Sequence, residues 1–555
     1  MPAPSAPTAA LLALALALSA PSPPRIVFRD AARERGLSFV HDMGLSGQKM
    51  MVETMGSGGG FLDYDNDGDL DVYLANGAPL PGWRGAVRPR HALFRNDGSG
   101  RFQEVTDAAG AGDQGYGMGI CAGDYDNDGW TDLYLANYGP DVLYRNQGDG
   151  TLRPVTARAG LGDPQWGSSC AFLDHDADGD LDLIVINYVN FTPSDNKFCG
   201  DYANDVRAYC HPNVYRGEPD TFWINNGDGT FTEGAEAAGL TARGGNGLGV
   251  VTGDYDGDGD PDLYVANDKT PNTLYRNDGG GRFTDVTLSA GVGYSVDGEA
   301  QAGMGTDFGD HDGDGDLDIV VTNLDFEYNS LYRNDGHGLF SDVSFASGIG
   351  APSLSFVGFG AEFLDYDNDG RQDLAIANGH ILDNAPYFND ATTHAQRNFI
   401  FRGEGAGRLK EVGLELGPDM AVPNVARGLA AGDVDNDGDL DLLVTTCGGP
   451  VRLLINDGGN ARAWVGLRLA GRVSNRSAIG ARVTVAGPHH AIVEEVRSGS
   501  SYLSQSDLRI HAGLGERPVL PVRAAVRWPS GATEEILLEQ AGRYVTVVEG
   551  KGIVP

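Results

Sequence analysis

The sequence predicts an all-β chain, a seven-bladed β-propeller followed by a small β-sandwich or barrel domain. Three observations lead there. A nine-residue pattern, D-x-D-x-D-G-x-x-D, recurs seven times, beginning at Asp63, Asp124, Asp174, Asp254, Asp310, Asp365 and Asp433. The same short alternating segments flank every copy, so each copy marks a unit that cannot bury its own face and must stack on its neighbours. After residue 459 the pattern stops and the charge balance reverses, with 12 basic against 8 acidic residues in 460–555.

Each unit reads as four short antiparallel strands. A glycine-spaced stretch such as 116–123 (YGMGICAG) enters the Asp loop, and an apolar run such as 133–137 (LYLAN) leaves it. A third segment follows, LFRN, LYRN or a relative, then a fourth of the type RFQEVT or RFTDVT. Four strands repeated seven times match a propeller. Two features favour radial closure. Seven and five residues before each first Asp stand small residues only, as at Gly56 and Gly58, Gly117 and Gly119, or Ala426 and Gly428, as innermost strands converging on an axis require. The seventh unit lacks its fourth strand, and residues 25–31 (RIVFRDA) are expected to supply it and clasp the ring.

The Asp loop points to a hard cation. Carboxylates at positions one, three, five and nine of a tight loop repel one another unless a divalent ion gathers them, and calcium takes six to eight oxygens. The expected side-chain ligands are Asp63, Asp65, Asp67 and Asp71; Asp124, Asp126, Asp128 and Asp132; Asp174, Asp176, Asp178 and Asp182; Asp254, Asp256, Asp258 and Asp262; Asp310, Asp312, Asp314 and Asp318; Asp365, Asp367, Asp369 and Asp373; and Asp433, Asp435, Asp437 and Asp441. Position seven is expected to give only its backbone carbonyl, which lets Asp69, Trp130, Asp180, Asp260, Asp316, Arg371 and Asp439 alternate there. Glycine at position six follows from the sharp turn. An EF-hand is excluded because position twelve is Leu, Val or Ile of a strand, as at Leu74 and Val185, where that loop needs Glu. Up to seven calcium ions, mainly structural, are expected.

The formal charge of −38 argues against nucleic acid as a partner, since a phosphate backbone needs a basic face. Residues 8–18 (TAALLALALAL) fit the apolar region of a secretory signal, although no Lys or Arg precedes them, so residues 1–19 are expected to be a signal peptide and the protein secreted or extracytoplasmic. The expected domains are a propeller over 20–459 and a β domain over 460–552. No later run is long enough to span a bilayer, and a monomer is expected. Cys199 and Cys210 lie in one long loop and are expected to pair, a metal site with His211 being the alternative; Cys121 and Cys170 read as small buried apolar residues.

If the Asp loops share one face of the disc, the links between second and third strands share the other, and those running from Asn76 to Asn96, Asn187 to Asn225 and Asn378 to Gly403 are the long ones. Long loops on a rigid scaffold are where binding resides. Thirteen residues after each first Asp stand Asn76, Asn137, Asn187, Asn267, Asn323, Asn378 and Thr446. They read as strand-end caps or as a polar floor around the channel mouth, joined by Asp268, Lys269, Asp325, Glu327, His380 and Asp383. Asp307 and Glu362 on innermost strands are costly unless paired; Arg427 is a candidate partner, or else the sign of a solvated channel.

The units resemble FG-GAP/VCBS-type repeats, the calcium-binding blades of integrin α-subunits. Residues 475–485 (NRSAIGARVTV), 495–504 (EVRSGSSYLS), 511–515 (HAGLG) and 526–531 (VRWPSG) resemble the ASPIC/UnbV domain. Together they resemble the cartilage acidic protein family. That resemblance implies a secreted, calcium-binding propeller. The 499–504 stretch (GSSYLS) has no G-x-S-x-G elbow and reads as a turn. The function expected is a binding, adhesion or scaffold module for an extracellular glycan or protein. The alternative is a secondary-metabolite biosynthetic enzyme or accessory protein of UnbV type, using the loop-rich face as its site; no linear catalytic motif supports it.

Overall fold

The computed structural model describes residues 25–240 and 244–554, so the expected signal peptide lies outside the described residues. Seven antiparallel sheets of the repeat unit stand around one axis. In blade 2 the strands are Tyr116–Gly123, Asp132–Tyr138, Val142–Asn146 and Leu152–Pro154, hydrogen-bonded in that order. The innermost strands of blades 1 and 3 to 7 are Gly59–Leu62, Gly167–Leu173, Gly247–Gly253, Thr306–Gly309, Gly358–Leu364 and Ala426–Gly432. Alternating side chains of adjacent blades interdigitate into separate apolar clusters, such as Tyr73, Leu93, Leu133 and Tyr144 between blades 1 and 2. Blade 7 takes its outermost strand from the start of the described chain: Val27–Asp30 pairs antiparallel with Arg452–Asp457, in the register Val27 to Asp457 through Asp30 to Leu454.

The C-terminal part is a sandwich of two four-stranded sheets, which settles the choice between sandwich and barrel. One orders Ile510–Gly515, Ala463–Ala470, Tyr544–Val548 and Gly552–Val554; the other Ala491–Glu495, Arg482–Ala486, Val522–Arg527 and Thr533–Leu538. Its core, with Trp528, Val465 and Val483, is continuous with propeller residues including Tyr125 and Phe172.

The segment read as a turn does something else. Residues 498–507 leave the sandwich and enter the propeller axis, where they touch the innermost strands of every blade. The Gly59 N–H donates to Leu503 O (3.3 Å), and Thr306 and Ser501 exchange backbone bonds at 3.0 and 2.9 Å. Ser504–Gln505 adds to blade 1 as a parallel strand. The Leu503 N–H donates to Ser169 Oγ, Ala361 N–H to Ser501 Oγ, Ala122 N–H to Gln505 Oε1 and Ala431 N–H to Ser506 Oγ, all between 3.0 and 3.2 Å. In blade 4, a side chain on Gly249 would meet Met304 O at 2.3 Å and Ser501 O at 3.3 Å. The small residues of the inner strands therefore serve two purposes, close approach of neighbouring blades and room for an inserted chain: a Cβ on Gly60 would lie 2.2 Å from Gln505 O. Local sequence shows only a hydroxyl-rich, turn-like stretch, because its partners lie hundreds of residues away.

From the opposite face, the short 3₁₀ turn Met51–Thr54 closes the axis. Met51, Val52 and Met55 pack with Trp166, Tyr188, Phe359, Tyr502 and Leu503 in one buried cluster. The two closures meet where Tyr502 Oη donates to Met55 O at 2.8 Å. Arg427 belongs here, not with Asp307 and Glu362. It is fully buried, its guanidinium lies 3.9 Å over the Phe359 ring, and it donates to the carbonyls of Thr54 (2.8 Å), Gly379 (3.0 Å) and Ala426 (2.7 Å). The cation that acts on Asp307 and Glu362 is Arg497, contributed by the sandwich. Sequence offered Arg427 because both acids and it lie near inner strands; burial of the Thr54 carbonyl decided otherwise.

Phe28 fixes the closing strand, with no exposed surface and its ring 5.9 Å from that of Tyr366. Phe28→Ala is expected to cost about 3–5 kcal/mol, read as a lower urea midpoint with unchanged slope.

Candidate metal centres and the insertion-bearing face

Each Asp loop is wound the same way. Two positions take left-handed backbone: position four, as Asn66 (φ 57°), Asn127, Ala177, Gly257, Gly313, Asn368 and Asn436, and position six, always glycine, as Gly68 (φ 93°). Position four was legible as a run of Asn, Gly and Ala, of which Asn and Gly tolerate this region. The position-six N–H donates to the first Asp in all seven loops, for instance Gly129 to Asp124 Oδ2 at 2.6 Å and Gly438 to Asp433 Oδ2 at 2.9 Å.

The fourth Asp is the buried one. Asp71 accepts from the Tyr64 N–H (3.1 Å) through one oxygen and from the Asn96 N–H (2.8 Å) through the other. The same pair recurs at Asp132, Asp182, Asp262, Asp318, Asp373 and Asp441, so this carboxylate ties the loop and the end of the third strand together. The Asn at that strand end then crosses to the preceding blade. Its Nδ2 donates to the second loop residue there: Asn146 to Tyr64 O, Asn225 to Tyr125 O, Asn277 to His175 O, Asn334 to Tyr255 O, Asn456 to Tyr366 O, and Asn96 to Val434 O, which closes the ring, all at 2.7–2.8 Å. Blade 6 has Gly403 in this place. The sequence reading passed over these Asn residues, although the recurring LYRN tetrad was the signal.

The remaining oxygens fit a divalent cation. Asp63, Asp65 and Asp71 bring ligand atoms within 4.8 Å of one another, as do Asp124, Asp126 and Asp132, and Asp174, Asp176 and Asp178. Buried carboxylate oxygens of Asp63, Asp65, Asp126, Asp254, Asp312 and Asp439 have no hydrogen-bond partner among the described residues. Asp439 at position seven is among them, where only a backbone carbonyl was expected. Two loops differ: His175 and His311 follow the first Asp, and each ring Nδ1 lies within hydrogen-bond reach of the fourth Asp, Asp182 or Asp318. A calcium ion would be held by the clustered carboxylates of a loop, the fourth Asp among them as at Asp71 and Asp132, and would supply the positive charge that this packing of anions lacks.

The sandwich covers the Asp-loop face with its basic residues. Arg468 lies 3.2 Å from Asp63 and Arg462 2.6 Å from Asp367; Arg527 pairs with Asp254; Arg509 donates to Asp433 O (2.9 Å) and Asn436 Oδ1 (2.6 Å). His511 Nε2 meets Asn368 Oδ1 at 2.7 Å. The reversed charge of the C-terminal part is thus complementary to the loops it covers.

On the other face the strand-end Asn residues turn inward. The Nδ2 of Asn76, Asn137, Asn187, Asn267, Asn323 and Asn378 each donates to the backbone just before the third strand, Arg90, Pro140, Pro219, Pro271, Tyr328 and Arg397 respectively, at 2.7–3.2 Å. Asp268 is buried and accepts from Tyr188 Oη at 2.6 Å. Lys269 pairs with Glu327, His380 Nε2 lies 3.5 Å from Asp325, and Lys49 pairs with Asp383. The blade 3 insertion carries the Cys199–Cys210 disulfide, which removes the alternative metal site with His211. It reaches across the face to blade 6, where Tyr387 Oη donates to Asp201 Oδ2 at 2.8 Å and Asn384 Nδ2 to Arg207 O at 3.0 Å.

Without a cation, burial pushes Asp71 up to about 8 and Asp124, Asp174, Asp310 and Asp433 up to about 7, with neighbouring carboxylates adding to the shift. The unfolded chain loses these protons near pH 4, while the metal-free fold keeps them to pH 7 or 8. The metal-free fold therefore binds more protons across that window and loses stability as pH rises through it. Thermal melts in EDTA are expected to show a lower Tm at pH 8 than at pH 5.5; a Tm that rises between them contradicts this account of the loops.

Comparisons with known proteins agree with this architecture. The FG-GAP-like repeat model matches residues 63–135, 124–185, 213–265, 254–321 and 310–376, together just over half of the chain, and the ASPIC and UnbV model matches residues 471–554. Cartilage acidic protein 1 of Homo sapiens is 28% identical over 352 residues, covering 61% of this chain and 50% of that protein. Its Mus musculus counterpart is 30% identical over 297 residues, covering 51% and 42%. The chain spans about half the length of the curated relatives it matches. A solved structure of BBS1N in complex with ARL6DN, soaked with mercury, overlaps 78% of this chain and 97% of its own at 12% identity and a TM-score of 0.41, too loosely to bear on function. Seven blades opened by one recurring Asp loop, matched by the repeat model over more than half of the sequence, identify the chain as a member of the FG-GAP-like repeat proteins that carries an ASPIC and UnbV segment in its C-terminal sandwich.

Proposed function

We propose that this protein is an exported, calcium-loaded propeller that binds an extracellular glycan or protein on its insertion-bearing face. The observation that carries this reading is the contrast between the two faces. The Asp-loop face is covered by the sandwich and the axis is filled from both ends, which leaves the long links of blades 1, 3 and 6 as the shaped surface that faces solvent. Those links are braced by a disulfide and by contacts between insertions, and they hold aromatic residues out of the core: Tyr202 is 75% exposed and Tyr387 50%. A rigid loop that shows aromatic rings to solvent suits recognition. The disulfide also suits an oxidising compartment, and the name of the curated relatives fits a place in matrix.

Calcium in this reading is structural. Each filled loop would stabilise the fold by mass action, about 2.7 kcal/mol at a free concentration one hundred times its Kd. Calcium is expected to raise the Tm of the EDTA-treated chain in a saturable way, and replacing Asp63 and Asp65 together by Asn is expected to lower the number of ions bound, read by calorimetric titration. A Tm indifferent to both EDTA and calcium would remove the metal from the proposal.

The binding face is tested by presenting the calcium-loaded full chain to purified glycans and extracellular protein domains. Capture lost by about tenfold on joint Tyr202→Ala and Tyr387→Ala substitution supports it. Capture that ignores these changes but disappears with Arg523→Ala on the sandwich overturns it.

A further inference from the structure

A groove of about 690 Å³ lies on the insertion-bearing face between blades 4 and 5, lined in part by His211 and Asn213 of the disulfide insertion but not by the exposed Tyr202 or Tyr387. That volume falls in the range of ligand pockets. Its apolar lining is open to solvent: Phe326 is 68% exposed, Val296 66% and Phe345 54%. Phe326 also has left-handed backbone (φ 64°), which is costly for an aromatic residue. Its N–H donates to Leu354 O at 2.8 Å, so the strained turn is fixed, and the result is a ring held out of the core.

The polar groups of the groove are mostly committed. Glu327 pairs with Lys269 through one oxygen and accepts the Ala302 N–H through the other at 2.8 Å. Tyr328 Oη donates to Asp342 at 2.9 Å and accepts the Val296 N–H at 3.1 Å. Gln301 Oε1 accepts from Ser330 Oγ at 2.9 Å. Ser295 Oγ accepts the Asp297 and Glu299 N–H groups at 3.3 and 3.2 Å. The side chains of Asp297 and Glu299 are exposed and have no hydrogen-bond or ion-pair partner among the described residues. His211 is held below its usual range by burial and by Lys269, so it adds no cation at neutral pH.

The uncommitted charge of the groove is therefore two carboxylates, on a lining that also carries exposed phenyl rings. A neutral sugar brings no charge to compensate these two carboxylates. A guanidinium or ammonium group uses both features: it is neutralised by the carboxylates and attracted to the faces of the rings, about 0.5–1 kcal/mol at an exposed site and more when desolvated. The net charge, −38 for the bare chain and still negative with all seven loops filled by calcium, draws such a ligand in.

We propose that this groove docks a basic segment of a partner protein, with Asp297 and Glu299 receiving a Lys or Arg side chain and Phe326 and Phe345 supplying its apolar contacts. The proposal rests on the insertion-bearing face being the binding face and narrows its ligand to a cationic peptide.

The test uses the full calcium-loaded chain and fluorescence anisotropy in 150 mM salt. The probe is a labelled peptide of alternating Arg and Ser, beside its Glu/Ser counterpart and a neutral chito-oligosaccharide. The Arg peptide alone is expected to bind. Phe326→Ala, and Asp297→Asn with Glu299→Gln, should each weaken it by about fivefold or more. Glu535→Gln with Glu539→Gln removes the same charge from exposed sandwich positions and should change it less than about twofold. Absence of Arg-peptide binding, equal weakening by the sandwich variant, or oligosaccharide binding that Phe326→Ala abolishes would each overturn the proposal. Because the Tyr202 and Tyr387 substitutions probe a separate part of the face, failure of the groove and failure of the whole face give different results.

Discussion

The structure depends on a carboxylate that is buried and fully engaged. The last Asp of each loop, Asp71 and its six counterparts, accepts one backbone N–H from its own loop and another from the end of the third strand. A buried anion is tolerable only when its oxygens have such partners, and this one holds a loop and two strands in fixed register. The neighbouring Asn then extends the hold to the preceding blade, and Asn96 to Val434 joins first blade to last. Blade 6, where Gly403 has no side-chain amide, is the one joint among the described residues without that link. The other carboxylates of each loop crowd around this fixed point, and the unpartnered oxygens of Asp63, Asp65, Asp126, Asp254 and Asp312 are what makes a cation fit there.

Closure of the ring creates a second problem, a channel lined by backbone and small side chains. Two pieces of chain from distant parts of the sequence fill it. The sandwich sends in 498–507, and the N-terminal region supplies Met51–Thr54 from the other side. Their meeting at Tyr502 and Met55 closes the axis on a buried apolar cluster. Arg427 is accepted in this cluster because backbone carbonyls of Thr54, Gly379 and Ala426, together with the Phe359 ring, take the place of water around its charge. A filled axis moves recognition outward to the rim, to the braced insertions and the groove beside Phe326.

The repeats were the most legible part of the molecule. Four carboxylates and a glycine at fixed spacing carry their own chemistry, and the strands around them alternate clearly, so blade number, strand order and the closing role of residues 25–31 followed from local pattern. Less was legible where a residue's partner is far away in sequence. Nothing around Tyr502 distinguishes a plug from a turn, and Arg427 stands as near to Asp307 and Glu362 by repeat position as Arg497 stands by distance in space. The strand-end Asn residues illustrate the middle case: capping and a polar floor share one pattern, and only the direction of Nδ2 separates them.

The all-β repeat, the loop chemistry and the excess of acid follow from local pattern, because each depends on neighbours within about a dozen residues. Tertiary structure decided where the remaining charge goes. It set the basic C-terminal sandwich over the acidic loops, paired Arg468 with Asp63 and Arg462 with Asp367, and left Asp297 and Glu299 exposed on the opposite face with no partner among the described residues. Charges attract at any separation in sequence once folding brings them within a few ångströms, and that separation is a property of the closed ring.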